Sequence, residues 1–372
     1  MLRKRCSNSS ATRPVRRVVW RGWHFIDLHT PKTESEKDAW EVWDDFWLTH
    51  GRFIDSIRKV FFSDKVNQYI KLRDTFAAKL LLRKSIVCDT DNIYVFMYNF
   101  RPNLRYFQSS HAQKMISQNA NLVYLFGDSV KYLTAPVFKN NGETKQVFDA
   151  ISVFPSILSY CYSDCEQLGY QYMPLAYPSA SNLPVKHNPE YDFSLFQNIR
   201  CVRKPGTEFY DPEYDFDSNN RVVLTKKLIE TANCNDAKFL HHSDSDFNVF
   251  DEWNNVESDT IKDNFLARVG DANCVVAFTQ FGENYLSYTV FQGFYYGRKI
   301  LTDAVCVKML KCYDERWVKV VESPDEIDDK LIEWMKKRED VQYSNVSELS
   351  MEHDAELIRG IVRKRRVELS IA

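Results

Sequence analysis

Runs of apolar residues of strand length alternate along the chain with longer stretches whose apolar positions recur at helical spacing. In the first half, Val18-Val19-Trp20 and Trp23 to Leu28 read as extended, β-branched and aromatic segments. From Ser35 to about Lys59, Trp40, Trp43, Trp47, Phe53, Ile54 and Ile57 fall near one face of a 3.6-residue period, which predicts a helix with a buried aromatic stripe. Helices are then expected over 76–84 and 110–119, and buried strands over 93–98 and 122–126. Residues 151–163 are apolar with a shorter period, and 171–175 read as a last short strand. Strand, helix, strand in this order is the signature of a parallel α/β sheet.

The segment YPSASNLPVKHNPEY, from Tyr177 to Tyr191, is rich in Pro, Ser and Asn and poor in apolar residues, as a linker would be. Beyond it the alternation restarts. Strands are expected near 199–202, at 238–240, 274–278 and 299–301, and helices over 221–231, 259–269 and 285–296. The tail carries amphipathic helices over 325–338 and 352–367. The fold class is therefore α/β, with two Rossmann-like domains facing a central cleft. The expected division is 1–176, a linker at 177–196, 197–345, and a C-terminal helix at 346–372 that packs back on the first domain. Ligands of such sheets bind outside the carboxyl ends of the strands, so the loops there carry the chemistry.

Length and charge narrow the classes. At 372 residues and 43.8 kDa, two packed units are the default expectation. The 44% hydrophobic and 27% charged content excludes a mostly disordered or collagen-like chain. Lys and Arg number 49 against 51 Asp and Glu, a net charge of -2, so any polyanion-binding surface must be local. Two such clusters exist, the basic first 21 residues and Arg363 to Arg366, and either also reads as a solvated tail. Nine scattered cysteines without a Cys-x-x-Cys pair fit reduced thiols and a cytoplasmic setting. No segment approaches the roughly 20 apolar residues that span a bilayer, so no membrane partner is expected.

Four constellations could carry chemistry. Asp128, in LVYLFGDS, follows a buried strand by two residues, where partial burial would make it a competent general base; a cap or turn former is the plainer alternative. Arg203, Lys204, Gly206 and Thr207, with Arg221 at a helix start, have the residue types of a diphosphate site, or are exposed basic residues on a long loop. In the segment Phe278 to Leu301, a helix start with Glu283, Asn284 and Thr289, and Gln292 one turn on, could receive a nucleotide's phosphates and ribose, or be an aromatic-rich core helix. His241, His242, Asp244 and Asp246 have metal-friendly residue types, but adjacent histidines in extended chain point to opposite sides, so no metal site is assigned. Cys161 and Cys165 read as core thiols.

Taken in order, these pieces resemble the β-glucosyltransferase family that T-even phages use on hydroxymethylated DNA, two-domain enzymes of the GT-B class. TPKTESEKDAW resembles the family's Pro-x-x-Glu loop and puts Glu34 at its sugar- and acceptor-facing glutamate. Asp128 in YLFGDS looks like the family's catalytic aspartate. Arg221 resembles one diphosphate-binding arginine, and Arg203 is a looser match to the other. ENYLSYTVFQGFYYGRKIL resembles the donor-binding helix and the strand after it, with Thr289 and Gln292 where the family carries Arg and Glu.

The resemblance implies inverting transfer from UDP-glucose or another UDP-sugar to the hydroxymethyl group of a modified pyrimidine in double-stranded DNA, with the base flipped out and Asp128 taking the proton. Arg203, Arg221 and helix N-termini would stabilise the leaving diphosphate, with Mg²⁺ an open addition. The basic segments 3–21 and 363–366 would hold the DNA backbone, and Trp20, Trp23 or Tyr132 would fill the stack. A monomer in the host cytoplasm is expected. Two other readings stay open: a GT-B enzyme with a lipid, glycan or protein acceptor, and a degenerate GT-B domain that only binds nucleic acid or protein.

Overall fold

The computed structural model describes residues 15–18, 40–42, 93–97, 109–126, 129–135, 151–174, 188–199, 202–245 and 270–371. They form two separate sheets, each parallel throughout. In the first, β1 (Val15–Val18), β2 (Trp40–Val42), β3 (Ile93–Met97), β4 (Leu122–Phe126), β5 (Ser156–Ser159) and β6 (Gln171–Tyr172) lie in the order β2-β1-β3-β4-β5-β6. In the second, β7 (Tyr191–Ile199), β8 (Phe239–Ser245), β9 (Ala272–Ala277), β10 (Lys299–Thr302) and β11 (Val318–Val320) lie in the order β11-β10-β9-β7-β8. This is the two-sheet α/β organisation that the hydrophobic pattern leads one to expect.

Central parallel strands are covered on both faces, so their sequences are apolar without alternation. Every residue of β4, LVYLF, and of β9, ANCVVA, is buried. Around the sheets lie α1 (Ser110–Ser117), α2 (Val130–Thr134), α3 (Tyr162–Leu168), α4 (Asn220–Cys234), α5 (Tyr288–Tyr296), α6 (Asp329–Lys336) and α7 (Met351–Ile371). Three of the starts follow capping rules: the hydroxyls of Ser109 and Ser129 and the carboxylate of Asp328 accept from the backbone of Ala112, Tyr132 and Leu331. α3 and α5 end on Gly169 (φ 70°) and Gly297 (φ 58°), left-handed positions that glycine takes without steric cost.

α7 lies against the first sheet. Ile358 and Val362 share one core with Val123, Leu125 and Leu158 of the first sheet, with Val290 and Phe291 of α5 and with Ile300 of the second sheet, and Arg366 donates to Asn121 at 2.8 Å. A second core, with Phe193, Leu224, Leu228, Val276 and Met335, packs α4 and α6 on the second sheet.

Several expectations change. Trp40–Val42 is a strand, not part of a helix running from 35 to 59: an aromatic and a β-branched residue in this tripeptide pair with Val15, Arg16 and Arg17 as an edge strand, and the pairing outweighs helical periodicity. The same pairing removes Val15–Val18 from the basic tail and places it inside the sheet, between β2 and β3. The strand expected at 199–202 is Tyr191–Ile199, so it begins within the proline-rich stretch, after its last Pro. The helix expected from 285 starts at Tyr288, with Ser287 in extended conformation before it. β11 went unrecognised in a short, mixed sequence. The helices expected over 76–84 and 259–269 lie outside the described residues. No helix among the described residues is long and apolar enough to cross a membrane.

Candidate active site

In the second sheet β7 is followed by α4 and β8 on one side, whereas β9 returns to its other side. The chain therefore reverses direction of sheet growth between β7 and β9, and the carboxyl edge there is the place where α/β sheets take ligands. Asn219, Asn220 and Arg221 at the start of α4 meet the Phe278–Ser287 loop after β9 and Asp303 after β10. The Arg221 guanidinium is anchored by Nε–H donating to Phe278 O at 2.6 Å. Asp303 accepts from the backbone N–H and hydroxyl of Thr279 at 2.7 and 2.5 Å and from Asn220 Nδ2 at 2.5 Å. Burial raises the Asp303 carboxyl above the usual range, and the Arg221 charge works against that rise.

Two amide groups here are incompletely satisfied. Asn219 donates through Nδ2 to Gln280 O, but among the described residues its Oδ1 has no partner, and neither does Gln280 Nε2, although both side chains are buried. On α5 the Gln292 side chain is fully buried, and neither amide atom has a partner among the described residues. Buried amides are nearly always hydrogen-bonded, so groups of this kind at a sheet's carboxyl edge are suited to a polar ligand.

The carboxyl edge of the first sheet reaches the same loop. Ser129, which follows β4 and caps α2, donates its hydroxyl to Glu283 Oε2 at 2.6 Å while accepting from Tyr132 N–H at 3.1 Å. Beside it, the buried Asp164 carboxylate accepts from Val130 N–H at 3.1 Å and from Ser159 Oγ at 3.0 Å. Burial pushes Glu283 up to about 7, with the Asp164 charge adding to the rise and the Ser129 hydrogen bond, Lys131 and Arg221 opposing it. Asp164 is pushed up to about 6, again by burial. Asn284 ties the seam further: its carbonyl accepts from Tyr162 N–H at 2.8 Å, its N–H donates to Ser163 Oγ at 2.9 Å, and its Oδ1 accepts from Cys306 N–H at 3.0 Å. A second contact lies alongside, where Tyr214 and Phe281 meet edge to face at 5.2 Å, Tyr214 donates to Lys131 O at 3.2 Å, and Lys131 pairs with Glu213 at 3.3 Å.

The residues singled out in the sequence are thus distributed unevenly. Arg221 stands at the switch point. Glu283 and Asn284 lie in the loop before α5, engaged with first-sheet residues, while Thr289 and Gln292 are buried on α5 itself. Arg203 lies on the loop leading into α4: its backbone pairs with Tyr214 and Phe216, and its Nη1 donates to Val202 O at 2.9 Å. Lys204 holds its ammonium 5.1 Å from the Phe216 ring, and Gly206 (φ 84°) forms an exposed turn. Tyr132 packs against the Tyr214 and Ala135 cluster. Asp128 and Glu34, like Trp20 and Trp23, lie outside the described residues. Ser129, Asp164, Asn219, Gln280 and Asp303 were not singled out in the sequence. Asp303 had a signal, since it follows a buried strand much as Asp128 does.

Cys161, Asp164 and Glu283 bring one ligand atom each within 4.8 Å of one another. They do not fit Mg²⁺. That ion takes oxygen donors in octahedral geometry, whereas one donor here is a thiol held protonated by burial, and both carboxylates already accept hydrogen bonds.

No protein-family model matches the chain, and no curated protein matches it. Among the solved structures that overlap it at low similarity are the following three. A TarM variant from S. aureus, in complex with fondaparinux, alpha-GlcNAc-glycerol and UDP, has 10% identity and a TM-score of 0.36 over 78% of this chain and 57% of that one. The pneumococcal O-GlcNAc transferase GtfA, in complex with UDP and GlcNAc, has 10% identity and a TM-score of 0.38 over 81% and 59%. The sucrose-phosphate synthase of Thermosynechococcus elongatus has 8% identity and a TM-score of 0.34 over 73% and 71%. The chain thus spans somewhat more than half the length of the first two.

Proposed function

We propose that this protein is a GT-B-type glycosyltransferase that moves a sugar from a UDP-sugar to the hydroxymethyl group of a modified pyrimidine in double-stranded DNA. The observation that supports this reading is that Arg221, held on Phe278 O, and the buried Asn219 and Gln280, whose Oδ1 and Nε2 have no partner among the described residues, join the start of α4 to the loop after β9 at the switch point of the second sheet. A cation, a helix start and unfilled hydrogen-bonding groups are what a nucleoside diphosphate needs.

In this reading Arg221, with Arg203 and Lys204 from the adjoining loop, holds the diphosphate. The turn at Gly206 lets that loop close on it, and Thr289 and Gln292 serve the nucleoside. Glu283 and Asn284 fix the loop that the donor rests on. Asp128, next in sequence to Ser129 at the seam, takes the proton of the acceptor hydroxyl. The acceptor oxygen forms its bond to the anomeric carbon as the bond from that carbon to the diphosphate oxygen breaks, and UDP leaves with the electron pair. Glu34 orients sugar and acceptor. A general base contributes roughly 10²–10⁴-fold, and electrostatic stabilisation of the leaving group a comparable factor.

The test is incubation with a panel of UDP-sugars and duplex DNA containing 5-hydroxymethylcytosine or 5-hydroxymethyluracil, read by nucleoside mass spectrometry. Transfer is expected, abolished by Asp128→Asn and lowered about 10²-fold by Arg221→Ala. Absence of both UDP binding and transfer overturns the reading. Transfer to another acceptor removes only the DNA assignment.

A further inference from the structure

At the opposite, amino edge of the second sheet, the start of β11 and the end of α6 enclose an open groove of about 480 Å³. Two half-buried indoles and four cations line it: Trp317 and Trp334, with Arg316, Lys319, Lys330 and Lys337. The Trp334 ring is fixed, because its Nε1–H donates to Arg316 O at 3.1 Å. Ammonium groups of Lys299 and Lys319 lie 5.2 and 6.0 Å from that ring, and the Arg316 guanidinium lies 5.4 Å from the ring of Trp317. Two carboxylates share the groove. Glu339 is already neutralised by Lys299 and Lys337 at 2.8 and 2.9 Å, which leaves Glu333 against Lys319 and Lys330. Arg316 pairs with Asp314.

We infer that this groove binds single-stranded nucleic acid, with a base stacked on the immobilised indole of Trp334 and flanking phosphates on Lys319 and Lys330. An acidic peptide would use the lysines but leave the aromatic surfaces idle. A nucleotide chain uses both, since every base has a face to stack and every link carries a charge. The groove falls in the size range of small-ligand sites, and its openness to solvent suits a chain that continues past it. The site goes beyond the transfer reaction and does not require it.

The experiment measures binding of a fluorescein-labelled oligothymidylate to the full chain by anisotropy over a salt series, with heparin as a polyanion without bases. Salt-sensitive binding is expected. Lys319→Glu with Lys330→Glu, both exposed, should leave the fold intact and reduce the slope of log affinity against log salt by about 1.4, roughly 0.7 for each lost phosphate contact. Trp334→Ala should weaken binding about tenfold, with circular dichroism reporting that the protein is folded; if it is not, Trp317→Ala takes its place. Arg221→Ala, at the far edge of the sheet, should leave oligonucleotide binding unchanged, which separates this site from the donor site. No binding at low salt, equal loss to heparin with no effect of either Trp variant, or binding that follows Arg221 in place of the lysines would each overturn the inference.

Discussion

The Ser129 hydroxyl and the Glu283 carboxylate, 154 positions apart, share a 2.6 Å hydrogen bond that joins the carboxyl edge of one sheet to that of the other. Ser129 Oγ has one proton to give and gives it across the seam, while its lone pair caps α2. The junction is therefore sensitive to the charge on Glu283.

Stability should fall as pH rises through the range in which these carboxyls ionise. Burial lifts Glu283 from an ordinary 4.5 to about 7 and Asp164 from 3.8 to about 6, so the folded protein holds protons that the unfolded chain has released. A group raised in this way contributes its stability fully below the unfolded value and loses it as pH passes the folded one. Urea unfolding between about pH 5 and pH 8 should show the decline, and Glu283→Gln should flatten it by on the order of 2 kcal/mol at the alkaline end. A Glu283→Gln protein with an unchanged pH profile would contradict this.

Lys299 is wholly buried at the start of β10, and its ammonium has three acceptors: Trp334 O and Lys337 O at 2.7 Å each, and Glu339 at 2.8 Å. It thus caps the end of α6 from inside the protein. Lys299→Met leaves two carbonyls and a carboxylate short of a donor and should cost about 2–4 kcal/mol by chemical denaturation. In a Glu339→Gln background the same change should cost less.

Gly293 lets α5 approach the second sheet. A Cβ there would stand 2.5 Å from Ile300 Cγ1 and 2.9 Å from its Cδ1, with Val275 behind at 3.6 Å. Alanine would gain about 1 kcal/mol of helix propensity, but the overpacking outweighs it. A net loss of about 1–2 kcal/mol is expected in thermal unfolding, partly relieved by Ile300→Val.

Asp303 holds together Thr279 and Asn220, the two flanks of Arg221. Asp303→Asn swaps an acceptor oxygen for a donor facing donors. UDP affinity, measured by calorimetry, should drop about tenfold, and the protein should lose about 1–3 kcal/mol of stability.

The second sheet was largely legible in the chain itself. Cys274-Val-Val-Ala277 is an uninterrupted apolar run, as Leu122–Phe126 is in the first sheet; buried parallel strands require such runs, and α4 is bounded by polar residues that stop it. Trp40–Val42 was not, because a three-residue edge strand takes its stability from its neighbour β1 and leaves no period to read. Arg221 stood out by its residue type before a helix. Asp164 and Ser129 did not, since a carboxylate on a short helix and a serine after a loop gain their meaning only from the residues folding places opposite them.

The first sheet is completed by the last helix in the sequence. Ile358 and Val362 sit in a core with Val123, Leu125 and Leu158, and Arg366 reaches Asn121. During synthesis, the opening half of the chain therefore emerges with an apolar surface bare until α7 leaves the ribosome, and a nascent protein stalled before that helix would be a substrate for chaperones and prone to aggregate.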